Sequence, residues 1–306
     1  MNNRGYLQIS FGWLFAIVVG IFILFLAIYA STKFIKTEET TLDAKAGKEI
    51  GILLNPLETG FGTTAKVTFF TMPVETRIYN KCNDYGDFGK QIIQISQKSF
   101  NKWTETNVDV GFENKYIFSK KEIEGKKFYI FSKPFEFPFK VSDLIYIIPS
   151  TEKYCFIDPP EEIEDEIESL NQENLLLEKD CTEDNIKICF NSGNCDINVW
   201  ENAGFIEKEG KKLYFKGDAL MYAGIFADSE IYECQLKRLM KRVENLALIY
   251  RNKAIFISRI GCNSNLNLLE LISSVKSLSS SSNLGSISSL VENIKKENNL
   301  ARCKLW

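Results

Sequence analysis

Ser273, Ser274, Val275 and Lys276 spell S-x-x-K, which sets a serine and a lysine one helical turn apart. At that spacing a lysine base can activate a serine nucleophile. The S-D-N and K-T-G motifs that complete such a site are missing, and in a serine-rich stretch the match is expected by chance. Glu161 and Glu162 are adjacent carboxylates with no pocket context for glycosidase chemistry. They open an acidic run from Pro159 to Asn174 that lacks the glycine and the alternating ligand spacing of an EF-hand calcium loop. Its best reading is the solvated face of a helix entered through Pro160. Neither G-x-x-x-x-G-K-[ST] nor G-x-G-x-x-G occurs. The chain has no histidine, which removes His-based triads, His-metal sites and imidazole switching together. The expectation is a non-enzymatic protein with no catalytic, cofactor-binding or metal-binding residues.

The cysteines carry the remaining chemistry. There are eight, Cys82, Cys155, Cys181, Cys189, Cys195, Cys234, Cys262 and Cys303, and no C-x-x-C spacing for redox or zinc work. An even set fits disulfides in an oxidising compartment, against the alternative of reduced thiols packed as small apolar groups. Cys189 and Cys195 flank an Asn-Ser-Gly-Asn turn between two strand-like runs, which makes them the candidate disulfide. The other pairings are open.

The chain has 306 residues, 45% of them hydrophobic, and a formal charge of −3. A sizeable core is affordable outside any membrane segment. No clustered basic patch is present, so nucleic acid is not an expected partner.

Whatever the cysteines brace is attached to an apolar opening. From Ile9 to Thr32 no residue is charged, which is long enough for a membrane span of about 20 residues. Tyr6, Trp13 and Tyr29 stand where interfacial aromatics sit. A cleaved secretory signal has a shorter apolar core, and Ala27-Ile28-Tyr29-Ala30-Ser31 is only a faint cleavage site. Leu42, Ala46, Ile50, Leu53 and Leu54 continue as an apolar stripe at spacings of three and four, up to Asn55-Pro56. Such a helix, from Leu7 to Leu54, is about 70 Å long, weakened at Gly47 and Gly51. Lys33, Lys36, Lys45 and Lys48 after the span outnumber Arg4 before it, which favours a C-terminal side inside. The cysteines favour it outside. Large domains translocate largely regardless of charge, so the cysteines decide.

A short leader ending Arg4-Gly5, then a long apolar helix and a globular part, resembles archaeal type IV prepilin-like proteins. That resemblance implies cleavage between Gly5 and Tyr6, with a mature helix beginning YLQISFGWLF. Tyr6 is an unusual first residue for it, the basic leader is minimal, and Ser10 stands where bacterial pilins carry a glutamate. QISFGWLFAIVVG, ILLNPLETG, KYIFS, PFKVSDLI, YECQLKRLMKR and the terminal CKLW resemble uncharacterised membrane-anchored proteins of small-genome archaea. This implies one continuous architecture and no particular activity.

Beyond the stalk, AKVTFFTM, ETRIYN, QIIQIS, KYIFS, KKFYIFS and LIYIIPS read as strands, with a hairpin around Gly125 in KKEIEGKKFYIFS. KPFEFPFK reads as an extended edge or loop packed by aromatics, the alternative being an exposed peptide groove. FIEKEGKKLYFKG reads as a hairpin around Gly210. Residues 230–250 form a helix capped by Asp228 or Ser229, with a core face and a solvated basic side of Lys237, Arg238, Lys241 and Arg242. AIFIS (254–258) reads as a short strand, residues 267–278 and 287–306 as helices, and SSSSNLG between them as a flexible linker.

The expected fold is α+β: a leader (1–5), a transmembrane helix (6–32), a helical stalk (33–56), a mainly antiparallel β-rich region (57–217) and a helical region (218–306). The expected function is a single-pass membrane-anchored surface protein with its C-terminal domain outside, as a pilin-like subunit. The alternatives are a membrane-tethered binding or scaffold protein that does not polymerise, or an enzyme of unrecognised type. Expected partners are membrane lipid and other pilin-like subunits or surface proteins.

Overall fold

The computed structural model describes residues 11–53, 66–99, 101–104, 109–262, 264 and 266–306. Helix α1 (Phe11–Leu53) begins inside the apolar run and continues without a break past it. Its first part, Phe11–Lys33, is long and apolar enough to cross a membrane, and none of it is buried against the rest of the chain. The Gly5–Tyr6 bond, Leu54 and the Asn55-Pro56 stop lie outside the described residues, as do the side chains of the stripe from Leu42 to Leu53.

The fold that follows is α+β, with two sheets and a helical C-terminal part. In the first sheet, β1 (Lys66–Asn83) is central, antiparallel to β2 (Lys90–Ser99) on one side and to β6 (Glu122–Glu136) on the other. The β1–β6 register shifts between Thr71 and Thr76. Pro73 falls within that gap and has no N–H to give the ladder. The run thus reads as two segments in sequence and is one bent strand in space. Beyond β6 come β7 (Lys140–Pro149), antiparallel, and β5 (Ile117–Phe118), parallel to β7. Short strands β3 (Lys102–Trp103) and β4 (Val110–Phe112) pair with β2.

Gly125 is not at a turn. It lies inside β6, opposite Thr76, so the hairpin expected there is replaced by one long strand. The true β6–β7 turn is in KPFEFPFK. Phe135, Phe137 and Phe139 are all buried there, which leaves no exposed aromatic groove. Phe139 packs on Tyr250 and Trp306.

The second sheet is mixed. Strands β8 (Tyr154–Ile157), β9 (Leu175–Leu177), β10 (Ile186–Phe190) and β11 (Ile197–Trp200) run parallel; β12 (Phe205–Lys208) and β13 (Lys211–Tyr214) complete it antiparallel. Helix α2 (Glu161–Leu170) carries the acidic run between β8 and β9, burying Ile163, Ile167 and Leu170. Glu209 and Gly210, both with positive φ, make the β12–β13 turn, a backbone state that favours the glycine.

Helices α3 (Gly217–Phe226), α4 (Ser229–Ser258), α5 (Leu268–Lys276) and α6 (Leu284–Leu300) close the core. Both sheets and α2 to α6 contribute to one apolar cluster. Helix α3 is buried from Ala219 to Phe226, and Phe131 meets Tyr146, Tyr222 and Phe226 with ring centroids 4.5, 5.7 and 5.7 Å away. AIFIS is not a strand but the last turns of α4. SSSSNLG is not a flexible linker: its Ser281 is buried, donates to Glu233 Oε1 at 2.5 Å and accepts from the Tyr214 backbone N–H.

Lys208 on β12 closes α3. Its Nζ donates to the carbonyls of Ile225 and Ala227, at 3.0 and 2.6 Å, where the helix leaves acceptors unpaired. Burial holds its ammonium down from 10.5 to about 8; Asp228, Glu209 and Glu152 oppose that shift and Lys120 adds to it. Between those values the unfolded chain binds the extra proton and the folded chain does not. Stability therefore rises with pH across the window, by up to about 3 kcal/mol. Lys208→Met should flatten that rise. Urea unfolding of both forms at pH 8 and pH 10 checks it, and parallel changes in the two would refute the assignment.

Candidate functional site

Six residues connect β1 to β2: Asp84-Tyr85-Gly86-Asp87-Phe88-Gly89, a tandem repeat of Asp, aromatic, Gly. Gly86 and Gly89 take φ of 75° and 60°, where side chains are strained. At Gly89 there is no room either, since an added Cβ would lie 2.4 Å from the Asn83 carbonyl and 2.9 Å from Arg238 Cγ. Asn83 Oδ1 accepts the Tyr85 N–H at 2.8 Å and starts the turn.

One face of α4 holds this loop. Cys234, Lys237, Arg238 and Lys241 recur at spacings of three, four and seven, so they line up. Cys234 is bonded to Cys82 at the loop's base. Lys237 Nζ stands 3.6 Å from Asp84 Oδ2. Arg238 Nε donates to the Phe88 carbonyl at 3.2 Å. Lys241 Nζ donates to the Gly86 carbonyl at 2.7 Å and to that of Asp84. Of the basic side that the sequence suggests is solvated, Arg238 and Lys241 turn inward onto main-chain carbonyls, while Lys237 stays partly exposed beside Asp84. Arg242 fits the same pattern, donating to the Val141 carbonyl at 2.8 Å.

Arg238 goes deepest and is fully buried. Its Nη1 donates to Lys115 O (2.9 Å) and Gln235 Oε1 (2.7 Å), and its Nη2 to Glu113 O (2.9 Å) and Phe112 O (3.4 Å). Its guanidinium stacks 4.8 Å from the Tyr116 ring centre. Burial pushes it below its ordinary value, with Tyr116 and Glu113 acting against that. Gln235 passes the network to Gln91 and to Ile117 O (3.2 Å), and Gln91 to Asn80. Asn80 then donates to Ser119 Oγ at 2.8 Å. A buried polar chain whose members are all bonded rigidifies what it joins.

The result is a fixed loop with an open tip. Tyr85 is 82% exposed and Phe88 40%. Rigid aromatics presented on a braced turn make interface anchors at low entropic cost. Gly89→Ala should cost the protein about 2 kcal/mol and release the loop to proteolysis; an unchanged cleavage pattern on Coomassie gels would remove the steric argument.

The other candidates separate. Cys189 and Cys195 form a bonded pair with Cα atoms 5.7 Å apart, but β10 and β11 flanking them run parallel, not as a hairpin. Cys155–Cys181 and Cys262–Cys303 complete the set, at Cα separations of 5.7 and 5.9 Å. Ser273 Oγ donates to the Glu270 carbonyl and Lys276 pairs with Glu244, so the S-x-x-K residues make separate contacts. Among the described residues no three Cys, Asp or Glu converge as a metal site. A cleft of about 390 Å³ beside the Cys82–Cys234 bond is lined by Tyr79, Lys81, Lys121 and Glu230, among others. Lys121 and Glu230 pair with each other across it. Gly5 and Tyr6 lie outside the described residues.

The site and fold define a class in outline: an α+β domain braced by four cystines and preceded, among the described residues, by one helix long and apolar enough to cross a membrane. The chain matches no protein-family model, no curated protein and no solved structure. The loop was missed in sequence because its cations sit about 150 residues away; the doubled Asp-aromatic-Gly was the available signal.

Proposed function

We propose that this chain is a non-enzymatic, single-pass membrane-anchored surface protein. Its domain faces outward and makes contacts through the loop at Tyr85 and Phe88. The observation that carries this reading is the order of parts: an unburied apolar helix, Phe11–Lys33, followed by eight cysteines that are all paired. Disulfides persist in oxidising compartments, and a large domain can translocate despite lysines at the span's end. Membrane lipid and neighbouring surface proteins are the partners this implies.

One observation favours a pilin-like subunit over a plain tether. Helix α1 runs unbroken from the span to Leu53, as a filament-packing helix needs. Intact mass of protein purified from native membranes, with thiols alkylated before and after reduction, tests both. A mature start at Tyr6 with eight cysteines alkylated only after reduction supports the pilin-like reading. A retained leader with the same oxidised cysteines leaves a tethered binding or scaffold protein. Eight free thiols would sink the outward orientation.

A further inference from the structure

The last turns of α4 pack one side on the core through Tyr250, Ala254 and Ile257 and leave the other side exposed. Ile249, Phe256 and Ile260 are 60%, 65% and 74% exposed, and Leu248 and Ile255 flank them. The C-terminal tail lies alongside. Cys303 is bonded to Cys262, and Lys253 Nζ donates to the Leu305 carbonyl at 2.6 Å. Three residues before Cys303, at the end of α6, Leu300 is 77% exposed.

The charge of this zone departs from the rest of the chain. Residues 245–262 and 299–306 contain Arg251, Lys253, Arg259, Arg302 and Lys304 and no Asp or Glu, whereas the whole chain has net charge −3. Exposed Ile, Leu and Phe interleaved with cations alone are what an anionic bilayer surface takes up: apolar groups enter the headgroup boundary and cations meet the phosphates.

We propose that this end of α4, with the tail bonded to it, is a second membrane-contact surface that docks on anionic lipid headgroups. The inference rests on the membrane-anchored reading above, because the span keeps the bilayer at high effective concentration. From Lys33 to Leu53 α1 rises about 30 Å, and the 30 residues of α4 span about 45 Å, so a helix of this length can bridge the height of the stalk. A second copy fits less well, since a two-fold contact would set five cations against five. Nucleic acid would leave the exposed Ile249, Phe256, Ile260 and Leu300 without a role.

The test uses the full chain in nanodiscs, one copy per disc, of phosphatidylcholine alone or mixed with phosphatidylglycerol. Both carry a diazirine-bearing tracer lipid, and adducts are mapped by peptide mass spectrometry. Adducts on Phe11–Lys33 report the anchor independently, so their absence would fail the anchored reading itself. The expected result is further adducts on 248–260 and 300–304 in anionic discs. These should fall about fivefold for each of Arg259→Gln and Arg302→Gln, and for Phe256→Ser with Ile260→Ser about tenfold or more. Oxidised Cys262–Cys303 in each variant certifies its fold. Adducts on α1 alone overturn the proposal, as does equal labelling of the zone in uncharged discs.

Discussion

Arg238→Met should lower the stability of the domain by about 3–5 kcal/mol. Methionine fills much of the space, so the cavity cost is small. The loss is polar. Four carbonyls, those of Phe88, Phe112, Glu113 and Lys115, now receive the guanidinium. Replacing a buried ion pair by apolar groups can be neutral because both charges leave together. Here the acceptors are main chain and stay behind, with Gln235 Oε1 beside them. Arg238→Lys keeps the charge but not the planar fork, so it should fall between the two. The same substitution should open the loop, because the Phe88 carbonyl loses its donor. Urea unfolding of the full chain in detergent, paired with limited proteolysis at residues 84–89, measures both effects. A loss under about 1 kcal/mol with an uncut loop would mean that the network does not brace it.

The architecture was legible where a physical rule acts locally. The apolar opening, the acidic helix α2 and the β12–β13 turn each follow from composition or turn chemistry within a few residues. Context overrode local preference elsewhere. AIFIS is β-branched and aromatic, yet it extends a helix already running from Ser229; adding turns to an existing helix needs no new nucleus. Gly125 looks like a turn and sits in a strand, because β1 on one side fixes the register. Cys189 and Cys195 suggest a hairpin, but β10 pairs in the parallel sense with both β8 and β11.

The site was less legible for one reason. Lys237, Arg238 and Lys241 read as a solvated stripe because helical periodicity reports which residues share a face and not what that face meets. What it meets is a loop and a turn of backbone from residues 84–115, and carbonyl acceptors carry no residue signature. Eight cysteines allow 105 pairings, so the Cys82–Cys234 bond that registers α4 against that loop was equally out of reach of spacing.

That bond should be the most stabilising of the four. Closing a loop of 152 residues removes about 5 kcal/mol of unfolded-state entropy, against about 2 kcal/mol for the six-residue separation of Cys189–Cys195. The Cys155–Cys181 and Cys189–Cys195 bonds fall inside the long loop and shorten it, but the dependence is logarithmic and the ranking survives. Cys82→Ala with Cys234→Ala should therefore lower stability by about 4–5 kcal/mol, and Cys189→Ala with Cys195→Ala by about 2 kcal/mol or less. Thermal or urea unfolding of each double variant, with the other three bonds verified by mass, ranks them. The reverse order would show that native-state contacts, not loop closure, set the contribution. The consequence reaches the proposed orientation. A marginally stable domain that loses several kcal/mol on reduction is fitted to an oxidising side of the membrane, and its contact loop loosens with the same bond. Mild reductant should thus raise cleavage at residues 84–89 before the domain unfolds as a whole.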